Sequence, residues 1–120
     1  MIATSSYRRW TPDDGVAVRT SLGLPPRAMQ VAPVLRWSVV FPYNLLKVTD
    51  RGEFERRYRA RLDQHADRIL AELDTMRRDY DGARLCLLCF ENIAKPGQWC
   101  HRTTLAGWLA EHLDEAIPEL

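Results

Sequence analysis

Between Arg84 and Arg102 the chain reads RLCLLCFENIAKPGQWCHR. An apolar segment ends in Cys89 and Glu91, and a short loop later Cys100, His101 and Arg102 stand where a helix begins. Two thiols, a carboxylate, an imidazole and a guanidinium are thereby delivered to one end of the predicted sheet. These groups suit three kinds of chemistry. Glu91 and His101 can move protons near neutral pH. Cys89 or Cys100 can act as a nucleophile or line a pocket, because a thiol near a helix N-terminus has its pKa lowered toward the reactive thiolate. Arg102, a planar and permanently charged fork at that N-terminus, suits an anion.

Each residue has a plainer role to set beside the chemical one. Glu91 can cap backbone N–H groups or pair with Arg102. His101 can donate to a backbone carbonyl at the helix start. Cys89 and Cys100 are either a redox pair or two buried, inert thiols. Being adjacent, Cys100 and His101 make a poor nucleophile–base dyad, and Cys89 with His101 is the better geometry. Four zinc ligands can be counted by adding Cys86, but residues three apart on a strand point to opposite faces. Adjacent Cys100 and His101 would also need a sharp bend to aim at one ion. No metal is therefore assigned, and Cys86 reads as a small core residue.

The elements that must position these groups follow from the hydrophobic pattern. Met1–Ser5 begins apolar and reads as a first strand that presents Ser5, Ser6 and Tyr7 at its end. Asp13-Asp14-Gly15 marks a turn. Val16–Ser21 is a short strand or a loop, and Val34–Phe41, bounded by Pro33 and Pro42, allows another strand. From Asp50, with Glu53 three residues on, Phe54, Tyr58, Leu62, Ala66, Ile69, Leu73, Met76 and Tyr80 recur at steps of three and four. This predicts one amphipathic helix of about seven turns, near 40 Å at ~1.5 Å per residue, stopped at Asp81-Gly82. Leu85–Leu88 is nearly continuous in apolar residues, as in a strand covered on both faces. Thr103–Ala116 forms the last helix, with Leu105, Leu109 and Leu113 on one stripe and Trp108 beside them in the core. The order strand, long helix, strand, loop, helix predicts an α/β domain with a mostly parallel sheet in three layers, spanning residues 1–120 as one unit. In such sheets ligands sit outside the carboxyl ends of the strands, so Ser5 and Tyr7 join the candidate site as ligand-binding residues, and Arg19 with them.

Composition sets the outer bounds. A chain of 120 residues, 46% hydrophobic and 28% charged, can build a core without metal or disulfides. Its three cysteines fit reduced thiols better than a disulfide framework. No apolar run approaches the ~20 residues that span a bilayer, and the start of the chain lacks a signal-peptide layout. A cytoplasmic protein with no membrane partner is expected. Residues 1–61 hold 11 Lys/Arg against 5 Asp/Glu, and residues 62–120 hold 6 against 11. Arg56, Arg57, Arg59 and Arg61 are either solvated surface or a patch for phosphate or nucleic acid. Trp99 either packs its loop or stacks on a planar ligand.

The segment Leu87-Leu88-Cys89-Phe90-Glu91 followed by Trp99-Cys100-His101-Arg102 resembles the signature of a bacterial family, the domain of unknown function 488, in its actinobacterial and phage-type members. Val18–Gly23 and the long helix before the strand fit it too. The resemblance implies a compact Rossmann-like domain whose shared polar site comprises Cys89, Glu91, Cys100, His101 and Arg102. It implies no reaction and no cofactor. Together these readings favour an enzyme-like domain taking an anionic small molecule or nucleotide-like ligand. In it Arg102, Arg19 and the helix N-terminus hold the anion. A nucleic-acid- or protein-binding module is the first alternative, and thiol redox or zinc chemistry the second.

Overall fold

The computed structural model describes residues 1–23, 34–90 and 99–120. Four strands, β1 (Ile2–Ser6), β2 (Val16–Arg19), β3 (Val34–Arg36) and β4 (Leu85–Cys89), form one sheet in the order β1-β4-β2-β3. Every pairing is parallel. The three helices are α1 (Arg51–Gln64), α2 (Ala66–Asp79) and α3 (His101–Leu113). The α/β class and the parallel sheet inferred from the sequence are therefore present.

The register explains how the sheet acquires two faces. Ile2, Leu85 and Val16 lie in one row, and Thr4, Leu87, Val18 and Leu35 in the next row of the same face. Ile2, Val18, Leu85 and Leu87 pack in one cluster with Phe54, Tyr58 and Leu62 of α1, Ile69 and Leu73 of α2, and Leu105, Trp108 and Leu109 of α3. Among the described residues the other face carries the smaller cluster. There Tyr7, Ala17, Cys86 and Leu88 pack with Trp10 and Leu120, and the Cys86 thiol donates to the Asp14 carbonyl at 3.2 Å. Helices, sheet and this irregular cover make the layers. All five residues of β1 and all five of β4 are buried in consequence, as a strand covered on both sides requires.

Two local features let the strands meet. Gly15 has φ 134°, and a Cβ there would sit 2.3 Å from the Arg84 carbonyl. Only glycine permits the approach that lets Val16 N–H donate to Arg84 at 2.8 Å and start β2 against β4. At the other edge, the chain end adds a short parallel bridge to β1, with Thr4 N–H donating to Pro118 at 2.9 Å and Leu120 N–H to Thr4 at 2.8 Å. This covers an otherwise open strand edge.

The single long helix expected from the periodicity is instead two. Asp50 caps the first as anticipated, its carboxylate accepting from Glu53 N–H at 2.8 Å, but the helical path breaks at His65 (φ −114°, ψ 18°). Phe54, Tyr58 and Leu62 advance in strict fours, so at about 100° per residue their stripe turns by about 40° at each step. The seven-residue step from Leu62 to Ile69 brings the stripe back by about 20°, and Ile69 and Leu73 of the second helix pack in the same core. The candidate strand at 34–41 is also shorter than expected, giving way to a 3-10 turn at Ser38–Val40. The last helix starts two residues earlier, at His101, and ends before Asp114, which takes a left-handed conformation.

Candidate functional site

The carboxyl edge of the sheet gathers the thiols. Cys89 ends β4, the strand between β1 and β2, on the face that carries the helices. Cys100 is the N-cap of α3, with extended backbone (φ −142°, ψ 151°), and His101 is the first helical residue. That change from extended to helical chain supplies the sharp bend the sequence left in question. The His101 ring folds back so that Nδ1 lies 3.5 Å from Cys100 Sγ and 3.7 Å from Cys89 Sγ. Both neighbours of His101 in the presumed dyads are thus in reach, not Cys89 alone.

Cys89 and Cys100 form a disulfide, which corrects the expectation that all the thiols are reduced. Odd cysteine count did not forbid a pair: the third, Cys86, is the free one. It lies fully buried on the opposite face of the sheet, and burial with nearby Asp14 pushes its thiol up to about 11. Cys86 is the small core residue the strand alternation predicted.

His101 is held from behind. Its Nε2 lies 2.8 Å from the Thr20 carbonyl and 3.1 Å from the Thr20 hydroxyl. The hydroxyl itself donates to the Leu88 carbonyl at 2.8 Å. A carbonyl can only accept, so Nε2 carries the proton and Nδ1 turns its lone pair to the sulfurs. Burial lowers the pKa of the ring from 6.5 to about 4; the hydrogen bond to Thr20 opposes this, and the Arg102 charge adds to it. The imidazole is therefore neutral at physiological pH. Tyr58 stands edge-on to the ring, centroids 5.7 Å apart at 88°.

Arg102 takes a different direction. It is fully buried, and its Nε and one terminal nitrogen donate to the Glu119 carboxylate at 3.1 and 2.8 Å. Thr4 Oγ1 donates to the same carboxylate at 2.6 Å. Burial alone would raise the Glu119 carboxyl, but these hydrogen bonds and the charges of Arg102 and Arg9 outweigh it and hold the pKa below the usual value. The guanidinium assigned to an anion thus closes a clamp between α3, β1 and the chain end.

Ser5, Tyr7 and Arg19 belong to the other face of the sheet. Tyr7 Oη and Ser21 Oγ share a hydrogen bond at 2.8 Å, and burial raises the Tyr7 pKa against that bond and the Arg19 charge. Arg19 donates to the Ser21 carbonyl at 2.9 Å and also to that of Leu22, with its guanidinium 4.9 Å from the Phe41 ring centroid. Ser5 is buried, with no partner for its hydroxyl among the described residues. Glu91 lies outside the described residues. Trp99 packs edge-on to Phe54, 5.0 Å between centroids. Of the helix arginines, Arg57 faces Glu53 at 3.8 Å, Arg59 makes a two-pronged pair with Glu111 at 3.1 and 3.3 Å, and Arg61 lies over Tyr43.

Sequence reasoning passed over Thr20, Tyr58 and Glu119. Thr20 carried a usable signal, since it directly follows β2 at the sheet edge where sites gather. Glu119 carried none, being 17 residues from Arg102 and beyond the helix. No family model, curated protein or solved structure matches the chain. No helix among the described residues is long and apolar enough to cross a membrane.

Proposed function

We propose that this domain is a thiol–disulfide redox protein in which Cys89 and Cys100 form a two-electron couple and His101 is its proton acceptor. One observation carries the reading: the bonded sulfurs lie at the carboxyl edge of a parallel sheet with the unprotonated Nδ1 of His101 within 3.7 Å of each. In the reduced form Cys100 is the attacking thiol. It is the N-cap residue of α3, where the helix end favours a thiolate, and in the reduced form the thiolate charge beside the ring raises its proton affinity above that in the oxidised protein, so that Nδ1 takes the proton. The thiolate attacks one sulfur of a disulfide substrate, whose partner leaves as a thiolate. Nδ1 passes that proton to the departing substrate thiolate and takes the proton of Cys89; the Cys89 thiolate attacks Cys100 Sγ, the second substrate thiolate leaves and takes the proton from Nδ1, and the Cys89–Cys100 bond is formed. Two electrons pass from the protein to the substrate, which departs as two thiols. Both cysteines are almost wholly buried, at 2% and 4%, so the substrate class is a small disulfide and not a protein one. The anion-binding reading loses support because the Arg102 charge is already paired with the Glu119 carboxylate through Nε and Nη2, with only Nη1 left without a partner among the described residues, and Arg19 donates to backbone carbonyls.

The test is a count of thiols in denatured samples. After reduction all three cysteines react. After folded, reduced protein meets a small disulfide such as oxidised glutathione, one thiol is expected to remain, that of Cys86. His101→Gln should reach the same end point at least ten times more slowly, since a positioned base contributes ~10²–10⁴-fold. A count that stays at three, or a bond that resists reduction until the protein unfolds, would mean a structural staple instead.

A further inference from the structure

We infer that the reduced Cys89–Cys100 pair and His101 Nδ1 form a site for one zinc ion, which oxidation of the pair expels. The inference rests on the redox reading above, because the bonded sulfurs offer no thiolate to a metal. Three ligand atoms, Sγ of Cys89, Sγ of Cys100 and Nδ1 of His101, lie within 4.8 Å of one another, all on buried side chains. Zinc takes sulfur at ~2.3 Å and imidazole nitrogen at ~2.0–2.1 Å in a tetrahedron, which sets neighbouring sulfur and nitrogen ligands about 3.6 Å apart. The two Nδ1–Sγ distances, 3.5 and 3.7 Å, already have that value. On reduction the sulfurs need only move apart to about 3.8 Å, the corresponding sulfur–sulfur edge. Their Cα atoms stand 7.1 Å apart, wider than the ~4.4–6.8 Å over which disulfides usually form, so the backbone leaves room for that separation.

The outer contacts agree with a metal ligand. A ligating histidine nearly always donates its other ring N–H to a carbonyl or carboxylate, which fixes the tautomer and aims the lone pair. His101 does this through Nε2–H to the Thr20 carbonyl at 2.8 Å. Charge selects the ion. Two thiolates and a neutral imidazole cancel a divalent cation, which a buried site requires, whereas monovalent copper would leave a net charge behind. The soft donors exclude magnesium and calcium. Cys86 contributes nothing, because it points through the other face of the sheet to Asp14. Among the described residues the chain thus supplies three ligands, and one more donor, from water or a small ligand in zinc sites that do chemistry, completes the tetrahedron.

Oxidation and release balance without a further reactant. A small disulfide takes two electrons from the zinc-bound thiolates, its sulfur–sulfur bond breaks, the Cys89–Cys100 bond forms, and the products are free zinc and two small thiolates. Metal occupancy then reports the redox state of the couple.

The experiment titrates folded, reduced protein with cobalt(II) under anaerobic conditions and reads the thiolate charge-transfer and tetrahedral visible bands. One equivalent of cobalt should saturate them, and zinc should displace it. Oxidised wild type should give no band, which supplies a control with an unaltered sequence. Cys86→Ser should bind as wild type, Cys100→Ser should lose the charge-transfer band, and His101→Gln should weaken binding at least tenfold. Adding oxidised glutathione to the loaded protein should abolish the bands as the thiol count falls to one. A pair that oxidises normally but gives reduced protein no cobalt band overturns the metal site and leaves the redox reading intact. So does a band that Cys86→Ser removes as fully as Cys100→Ser. A band that survives the small disulfide with the count unchanged overturns the redox couple, and with it the expulsion.

Discussion

His101 and Arg102 are neighbours in sequence, both buried, both in the first turn of α3, and they serve different parts of the molecule. Successive residues of a helix point about 100° apart. His101 turns toward β4 and β2, where it meets the two sulfurs and the Thr20 carbonyl. Arg102 turns toward β1 and the chain end, where Thr4 and Glu119 complete its ion pair. One half of the Cys-His-Arg segment thus lies against the sulfur pair, and the other ties the last residues onto the sheet. A short motif need not be one site. If this division is right, changes on the arginine side should move stability and leave thiol chemistry alone, and changes on the histidine side should do the reverse.

The largest effect is expected at Glu119. Glu119→Ala leaves the Arg102 charge wholly buried and unpaired, and breaking a buried pair in this way costs ~3–5 kcal/mol. Urea unfolding of the oxidised protein should show that loss, while the rate of thiol oxidation in the folded, reduced protein stays within twofold of wild type. Arg102→Met should cost less, because the remaining carboxylate is 27% exposed and can be hydrated. A tenfold slower oxidation in Glu119→Ala would show that the clamp and the couple act together.

Acid comes next. In the oxidised protein His101 has a pKa of about 4, against ~6.5 for an unfolded histidine. Between these values the unfolded chain takes up a proton that the folded one refuses, so stability is full above pH ~6.5 and falls as pH drops to about 4. The gap corresponds to about 3 kcal/mol. Glu119, whose folded pKa is depressed, adds a further loss in the same direction once pH falls below its unfolded value. His101→Gln should flatten the decline between pH 6.5 and 4 and keep the part below it. A wild-type stability that is level across that window would mean His101 is not buried neutral.

How far the sequence carried each half differs for physical reasons. The parallel sheet and its central strand were legible because Leu85–Leu88 must be covered on both faces, and the cap at Asp50 because a carboxylate before a helix has one obvious use. Strand alternation separated Cys86 from Cys89, and the usual burial of a free cysteine then put it in the core. The division of α1 from α2 at His65 was not legible, since no proline or glycine marks it and the periodicity continues across it. The bond between Cys89 and Cys100 was named only as one alternative, because their distance depends on how α3 returns to the sheet. The clamp was hidden altogether: Glu119 meets Arg102 only when the chain end pairs with β1, a contact between residues 115 apart that no local pattern encodes.

The smallest of these effects tests the thiol half for stability. The Cys89–Cys100 bond closes a short loop, its ends 11 residues apart. Loop-closure entropy for that length amounts to about 2–3 kcal/mol, less than the cost expected for breaking the Arg102 clamp. Cys100→Ser should therefore lower the unfolding free energy of oxidised protein by about that amount, and reducing wild type should produce nearly the same loss. The equality matters more than the size. If the variant loses much more than reduction does, Cys100 contributes packing at the head of α3 that serine cannot supply. If both lose as much as Glu119→Ala, the sulfur pair holds the fold as firmly as the ion pair beside it, and the separation of chemistry from structure within three consecutive residues fails.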